Sequence, residues 1–148
     1  MTSKSDQAAE LFQEGYLCSQ AVVSVFTDEL ELDQALAHKL TTGFGGGIAR
    51  TGQICGAVSG ALIVIGAKAG AISNQDSEAK ENTYELVRGF LDKFAAENGS
   101  TICNELLDLD MKNPRDLTKA REEGLFAEKC PVFVASAVRI IEELFAKP

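Results

Sequence analysis

A chain of 148 residues, 45% of them hydrophobic and only three proline, can bury a core without disulfide staples, and it reads as one domain over residues 1–148. Its formal net charge of −8 excludes a nucleic-acid groove or an anionic membrane surface as partner, since both attract clustered Lys and Arg. The opening stretch MTSKSDQAAELFQEG is polar and lacks an apolar core before a small-residue cleavage site, so no signal peptide or anchor is expected and the expected location is cytoplasmic. In that reducing setting four cysteines serve as ligands, catalysts or small core residues rather than permanent cross-links.

In chain order, Ser3, Ser5 or Asp6 caps a first helix with Ala8, Ala9, Leu11 and Phe12 on one face, ending near Gly15. A second helix is predicted from about Cys18 to Leu30, with Ala21, Val22, Val25 and Phe26 as its buried stripe. Asp33 caps a third, whose Leu36, Leu40 and Phe44 form a four-residue ladder closed by Gly43 and a glycine loop. His38, the single histidine, lies in a polar stretch and is expected at the surface.

The stretch from Gly43 to Gly70 organises the rest. Its apolar run, Ile54 to Ala67, predicts a central buried helix with Cys55 in the first turn. Gly52, Gly56 and Gly60 are spaced by four, so on a helix they share a face and let another backbone come close. Lys68 ends the run well short of the ~20 apolar residues that a membrane span needs.

Ser73, Asn74 and Asp76 offer caps for the longest helix, roughly Ser77 to Glu97, amphipathic through Tyr84, Val87, Leu91, Phe94 and Ala95 and stopped by Asn98 and Gly99. A short helix then turns Ile102, Cys103, Leu106 and Leu107 inward. Asn113-Pro114 marks a turn, Asp116–Glu123 a loop or short surface helix, and the last helix opens at Cys130-Pro131 and runs through Phe133, Ala137, Ile140, Ile141 and Leu144. With no period-two strand pattern, the expected fold is an all-α, single-domain bundle of about six helices around the glycine-rich one.

Cys18, Cys55, Cys103 and Cys130 each fall at, or within a turn of, an expected helix start. Unpaired N–H groups there favour a thiolate, hence a nucleophile or metal ligand. No C-x-x-C pair is present, so a joint site has to be assembled by the fold. Arg50, one helical entry from Cys55, is a candidate support for a thiolate or an anionic group, with Gly56 beside it. No nucleotide is expected: the segment from Gly47 to Gln53 has Gln where a phosphate-binding loop needs Lys followed by Ser or Thr. The acidic clusters at 28–31, 122–123 and 142–143 read as solvated helix faces.

These segments resemble the C_GCAxxG_C_C family of redox-active proteins. Gly15–Val22 around Cys18, Gly45–Gly47 through Arg50 to Cys55-Gly56-Ala57-Val58-Ser59-Gly60, Gly99–Leu107 around Cys103, and Cys130 with the closing helix match its four cysteine contexts in order. The resemblance implies a redox role and a fold similar to part of the split-Soret cytochromes; covalent haem is excluded by the lack of C-x-x-C-H. Three functions follow. In the leading one, Cys18, Cys55, Cys103 and Cys130 converge on a metal centre, an iron–sulfur cluster or zinc, for electron transfer with a redox partner protein. In the second, Cys55 attacks disulfides and another cysteine resolves it. In the third, the chain is a helical interaction module with inert core cysteines. A homodimer is compatible with each.

Overall fold

The computed structural model describes residues 2–146 and contains eight α-helices: α1 (Lys4–Gln13), α2 (Cys18–Ser24), α3 (Gln34–Thr41), α4 (Gly56–Ala69), α5 (Ser77–Asn98), α6 (Cys103–Leu107), α7 (Pro114–Glu122) and α8 (Leu125–Leu144). Among the described residues there is no strand, only an isolated bridge between Ile54 and Ile102. The all-α class is as expected; the count exceeds six. Asn113 makes α7 a true helix by accepting from the N–H groups of Arg115 and Asp116, with Pro114 at the first position.

The other caps follow ordinary chemistry. Ser3 accepts from the Asp6 N–H at 3.1 Å, Asp33 from Leu36 at 2.9 Å and Asp76 from Ala79 at 3.2 Å, while Gly99 closes α5 with a left-handed φ of 96°. Three boundaries differ from expectation. Helix α2 stops at Ser24, where the Ser24 hydroxyl bonds back to Gln20 O and that of Thr27 to Ser24 O, so side chains compete with the helical ladder. Helix α4 starts at Gly56, which makes Cys55 its N-cap and leaves Gly52 outside at φ 74°. Helix α8 starts five residues before Cys130, so Pro131 lies inside it.

Helix α4 sits against α2, α5 and α8, and α8 also packs on α1. Val58, Val64 and Ile65 of α4 are fully buried with Phe26, Phe90, Phe94, Ile140 and Ile141. Burying one such aliphatic side chain contributes about 1.5–3 kcal/mol. Close approach of α2 to α4 depends on Gly56 and Gly60. A Cβ at Gly56 would stand 3.2 Å from Cys18 Cβ, and one at Gly60 2.9 Å from the Ser19 carbonyl.

On α3 the expected ladder fails. Leu36 and Leu40 are 45% and 60% exposed, and Ala37 and Thr41 face the core instead. His38 is half-buried rather than solvated: its Nε2 lies 2.7 Å from Ser24 Oγ and its ring 5.0 Å from that of Tyr16. The Ser24 hydroxyl also lies 2.6 Å from Gln20 O, so the Ser24–His38 contact ties α3 to α2. No helix among the described residues is long and apolar enough to cross a membrane.

Candidate four-cysteine site

Three cysteines stand at helix starts and one does not. Cys18 and Cys103 open α2 and α6, Cys55 caps α4, and Cys130 comes from the second turn of α8. Backbone lacing draws Cys55 and Cys103 together: Cys55 N–H donates to Thr101 O at 2.9 Å, Cys103 N–H to Gln53 O at 2.6 Å and Asn104 N–H to Gly52 O at 3.1 Å. The segment before α4 is thereby sewn to the entry of α6, and Gly56 brings α4 against Cys18.

All four side chains line one cavity of about 90 Å³, together with Gly46, Gly56 and an otherwise apolar wall that includes Phe12, Met111, Phe126 and Phe133. Cys55, Cys103 and Cys130 are 4%, 8% and 7% exposed, and Cys18 is half-buried. No disulfide is formed. A larger depression, about 600 Å³ beside Asp76, Glu78, Glu81 and Glu85, is an open surface groove without cysteine.

Loop geometry keeps the lid of the cavity thin. Gly46 and Gly47 are followed by Ile48, Ala49 and Arg50, all five with φ between 50° and 70°. This is a left-handed turn that costs L-residues about 1–2 kcal/mol each. It is held by bonds at both ends, Ala49 N–H to Gly43 O at 3.0 Å and Gln53 N–H to Gly47 O at 2.9 Å. A Cβ on Gly47 would meet Cys103 Cβ at 2.7 Å. Arg50 is exposed on this turn and is not part of the cavity wall; its Cα and Cγ pack against Gly46.

The thiols are less acidic than helix-start placement suggests. Burial pushes Cys55 to about 11, against the pull of the Ala57 and Val58 amides, and Cys103 to about 12. Desolvation outweighs the helix-end field, and among the described residues no cation acts on Cys55 or Cys103 to offset it. Cys18 and Cys130 interact directly. Sharing a proton with Cys130, together with burial, holds Cys18 well above its ordinary value, and the same sharing lowers Cys130.

A pH dependence follows. A thiol whose folded value is raised contributes stability that is complete below the unfolded value of about 8.5 and lost as pH climbs through the folded one. For the reduced, metal-free chain, stability is expected to fall between about pH 9 and the values of about 11 for Cys55 and about 12 for Cys103. Denaturant melts across that window check it: a Cys55→Ser, Cys103→Ser double variant should show the shallower decline.

Of the residues lining the cavity, Met111 gave no sequence signal, because it lies in a loop between α6 and α7 where no periodicity operates. Phe12 was readable only as a core position, and Phe126 precedes the expected start of the last helix.

Residues 16–144 match the family described as "Putative redox-active protein (C_GCAxxG_C_C)". No match was found among curated proteins or among solved structures.

Proposed function

The chain belongs to the C_GCAxxG_C_C family of redox-active proteins, and from that premise we propose that its four-cysteine cavity holds an iron–sulfur cluster and that the protein carries electrons. One observation bears most of the weight. Four soft donors surround a single small cavity, yet among the described residues no three His, Cys, Asp or Glu side chains are gathered closely enough to hold one metal ion.

A lone zinc ion needs its thiolates about 2.3 Å from one point, which draws the sulfurs into mutual contact. Cys18 and Cys130 are close neighbours, but no third ligand joins them among the described residues, and sulfurs spread in this way around a cavity suit a group that brings its own bridging atoms; an all-thiol donor set suits iron with sulfide. Cys18, Cys55, Cys103 and Cys130 would be the ligands. When bound, such a cluster supplies reversible one-electron transfer.

The chain's own residues supply the rest. On ligation the thiols release their protons, so loading is favoured as pH rises. Phe12, Met111, Phe126 and Phe133 exclude water from the sulfurs. Gly46, Gly47 and Gly56 keep backbone, not side chain, next to the cysteines. Phe12, Gly46, Cys18 and Phe126 are the half-buried part of the wall and form the edge to which a redox partner protein would dock.

The nearness of Cys18 to Cys130 favours a second reading, dithiol exchange. Two S–H bonds would give way to one S–S bond while a disulfide substrate takes up two electrons and two protons. Its nucleophile is not Cys55, which is buried and pushed to about 11. The reading is weakened by a mismatch: the more acidic Cys130 is buried, and the more accessible Cys18 holds its proton.

Anaerobic purification followed by iron, acid-labile sulfide and zinc analysis is the test. Iron and sulfide in matching amounts, with visible charge-transfer bands bleached by dithionite, is the expected result. One zinc per chain, or protein free of iron and sulfide after anaerobic reconstitution, would overturn it.

A further inference from the structure

Residues 125–130 form one wall of the cysteine cavity, contributing Phe126 and Cys130, and lie between two backbone specialities, although Glu128 N–H donates to Gly124 O at 3.1 Å across the first of them. Before it, Gly124 has a left-handed φ of 69°, which glycine adopts without strain. After it, Pro131 interrupts α8, and a proline has no N–H to offer the carbonyl four residues back. That carbonyl is Ala127 O. Its hydrogen bond comes instead from outside the helix, from Gln13 Nε2 at 3.3 Å in an exposed contact.

The opening of α8 is therefore tied to the end of α1 by a side chain at the point where the helix has lost its own ladder bond. Phe12, the neighbour of Gln13, lines the same cavity. Phe12 and Phe126 are half-buried, whereas Phe133, beyond the proline, is buried. Three thiols less than a tenth exposed are out of reach of any bulky reactant while this wall stays in place.

We infer that residues 125–130 are a flap that swings on Gly124 and Pro131, latched by the Gln13–Ala127 hydrogen bond, and that its opening admits metal, sulfide or electrophile to the buried thiols. The flap operates whatever group the thiols take, so it stands or falls separately from the cluster.

The test uses the reduced, metal-free full chain and N-ethylmaleimide, with each cysteine assigned by peptide mass spectrometry. The parent chain sets the reference rate for each cysteine. Gln13→Ala, which removes the latch, should speed labelling of Cys55, Cys103 and Cys130 several-fold. Pro131→Ala, which restores a backbone donor to Ala127 O, should slow the same three several-fold. In low urea the buried rates should stay flat, as local opening exposes little surface. Rates unchanged in both variants, or buried rates that climb with urea in step with global unfolding, would overturn the flap.

Discussion

Gly60→Leu is expected to lower the stability of the folded chain by about 3 kcal/mol or more, a large part of the roughly 5–15 kcal/mol that holds a domain of this size together. At Gly60 even a Cβ would lie 2.9 Å from the Ser19 carbonyl, 3.2 Å from Ser19 Cα and 3.2 Å from Val22 Cβ. Two of these atoms are backbone, and Ser19 is pinned by its own hydroxyl bond to Thr41 O at 2.8 Å. Neither helix can yield without the other.

Helix propensity works in the opposite direction, since leucine is better than glycine in a helix by about 0.8–1 kcal/mol. A net loss in urea melts therefore isolates the clash. Gly66 supplies the control: it lies in the same helix with nothing within 4 Å of an added Cβ, so Gly66→Ala should stabilise by about 0.5–1 kcal/mol. Equal stability of Gly60→Leu and the parent chain would mean that α2 and α4 are not in this register. Because Cys18 opens α2 beside Gly56, the same substitution should also raise the labelling rate of Cys18.

The glycine pair illustrates what sequence could and could not convey. The four-residue spacing of Gly56 and Gly60 marks a close approach, but nothing in it names Ser19 as the neighbour, because the partner of a smooth helix face is chosen by topology. Gly52 continues the spacing and yet lies outside α4, at φ 74°, where an added side chain would run into Asn104. Periodicity read along a sequence cannot tell a helical glycine from one that a turn requires.

Caps were legible because their chemistry is local. Ser3, Asp33, Asp76 and Gly99 act within three or four residues of themselves. The start of α8 was not, because Pro131 after Cys130 imitates a first helical position so well that the six residues before it, with their own helical hydrogen bonds, pass unnoticed. That displacement matters for the site, since it puts Cys130 within a helix rather than at its positive end. The alternation on α3 misled for a different reason. Leu36 and Leu40 have the spacing of a buried stripe, but the helix is short and buries its small residues, Ala37 and Thr41, against α2.

Replacing any one of the four cysteines by alanine separates the three uses of the site, because the effects on the fold and on the bound group differ in size. As small hydrophobes, Cys18, Cys55, Cys103 and Cys130 each lose one sulfur on substitution, worth about 1 kcal/mol of burial, so all four apo variants should fold. The bound group loses a quarter of its ligand set. Iron and sulfide per chain after anaerobic reconstitution are expected to drop roughly tenfold or more in every variant, Cys55 and Cys103 no less than Cys18 and Cys130. Dithiol exchange predicts a different pattern: reversible two-electron cycling would vanish in the Cys18 and Cys130 variants, which share the sulfur contact, and persist in the other two. Inert core cysteines predict a third, in which melting temperature shifts modestly and no iron binds to begin with. The serine series sharpens the distinction, since a hydroxyl keeps the shape of the thiol but is a poorer partner for a soft metal. Partial retention of iron in Cys→Ser where Cys→Ala retains none is a signature of ligation that neither packing nor disulfide chemistry reproduces.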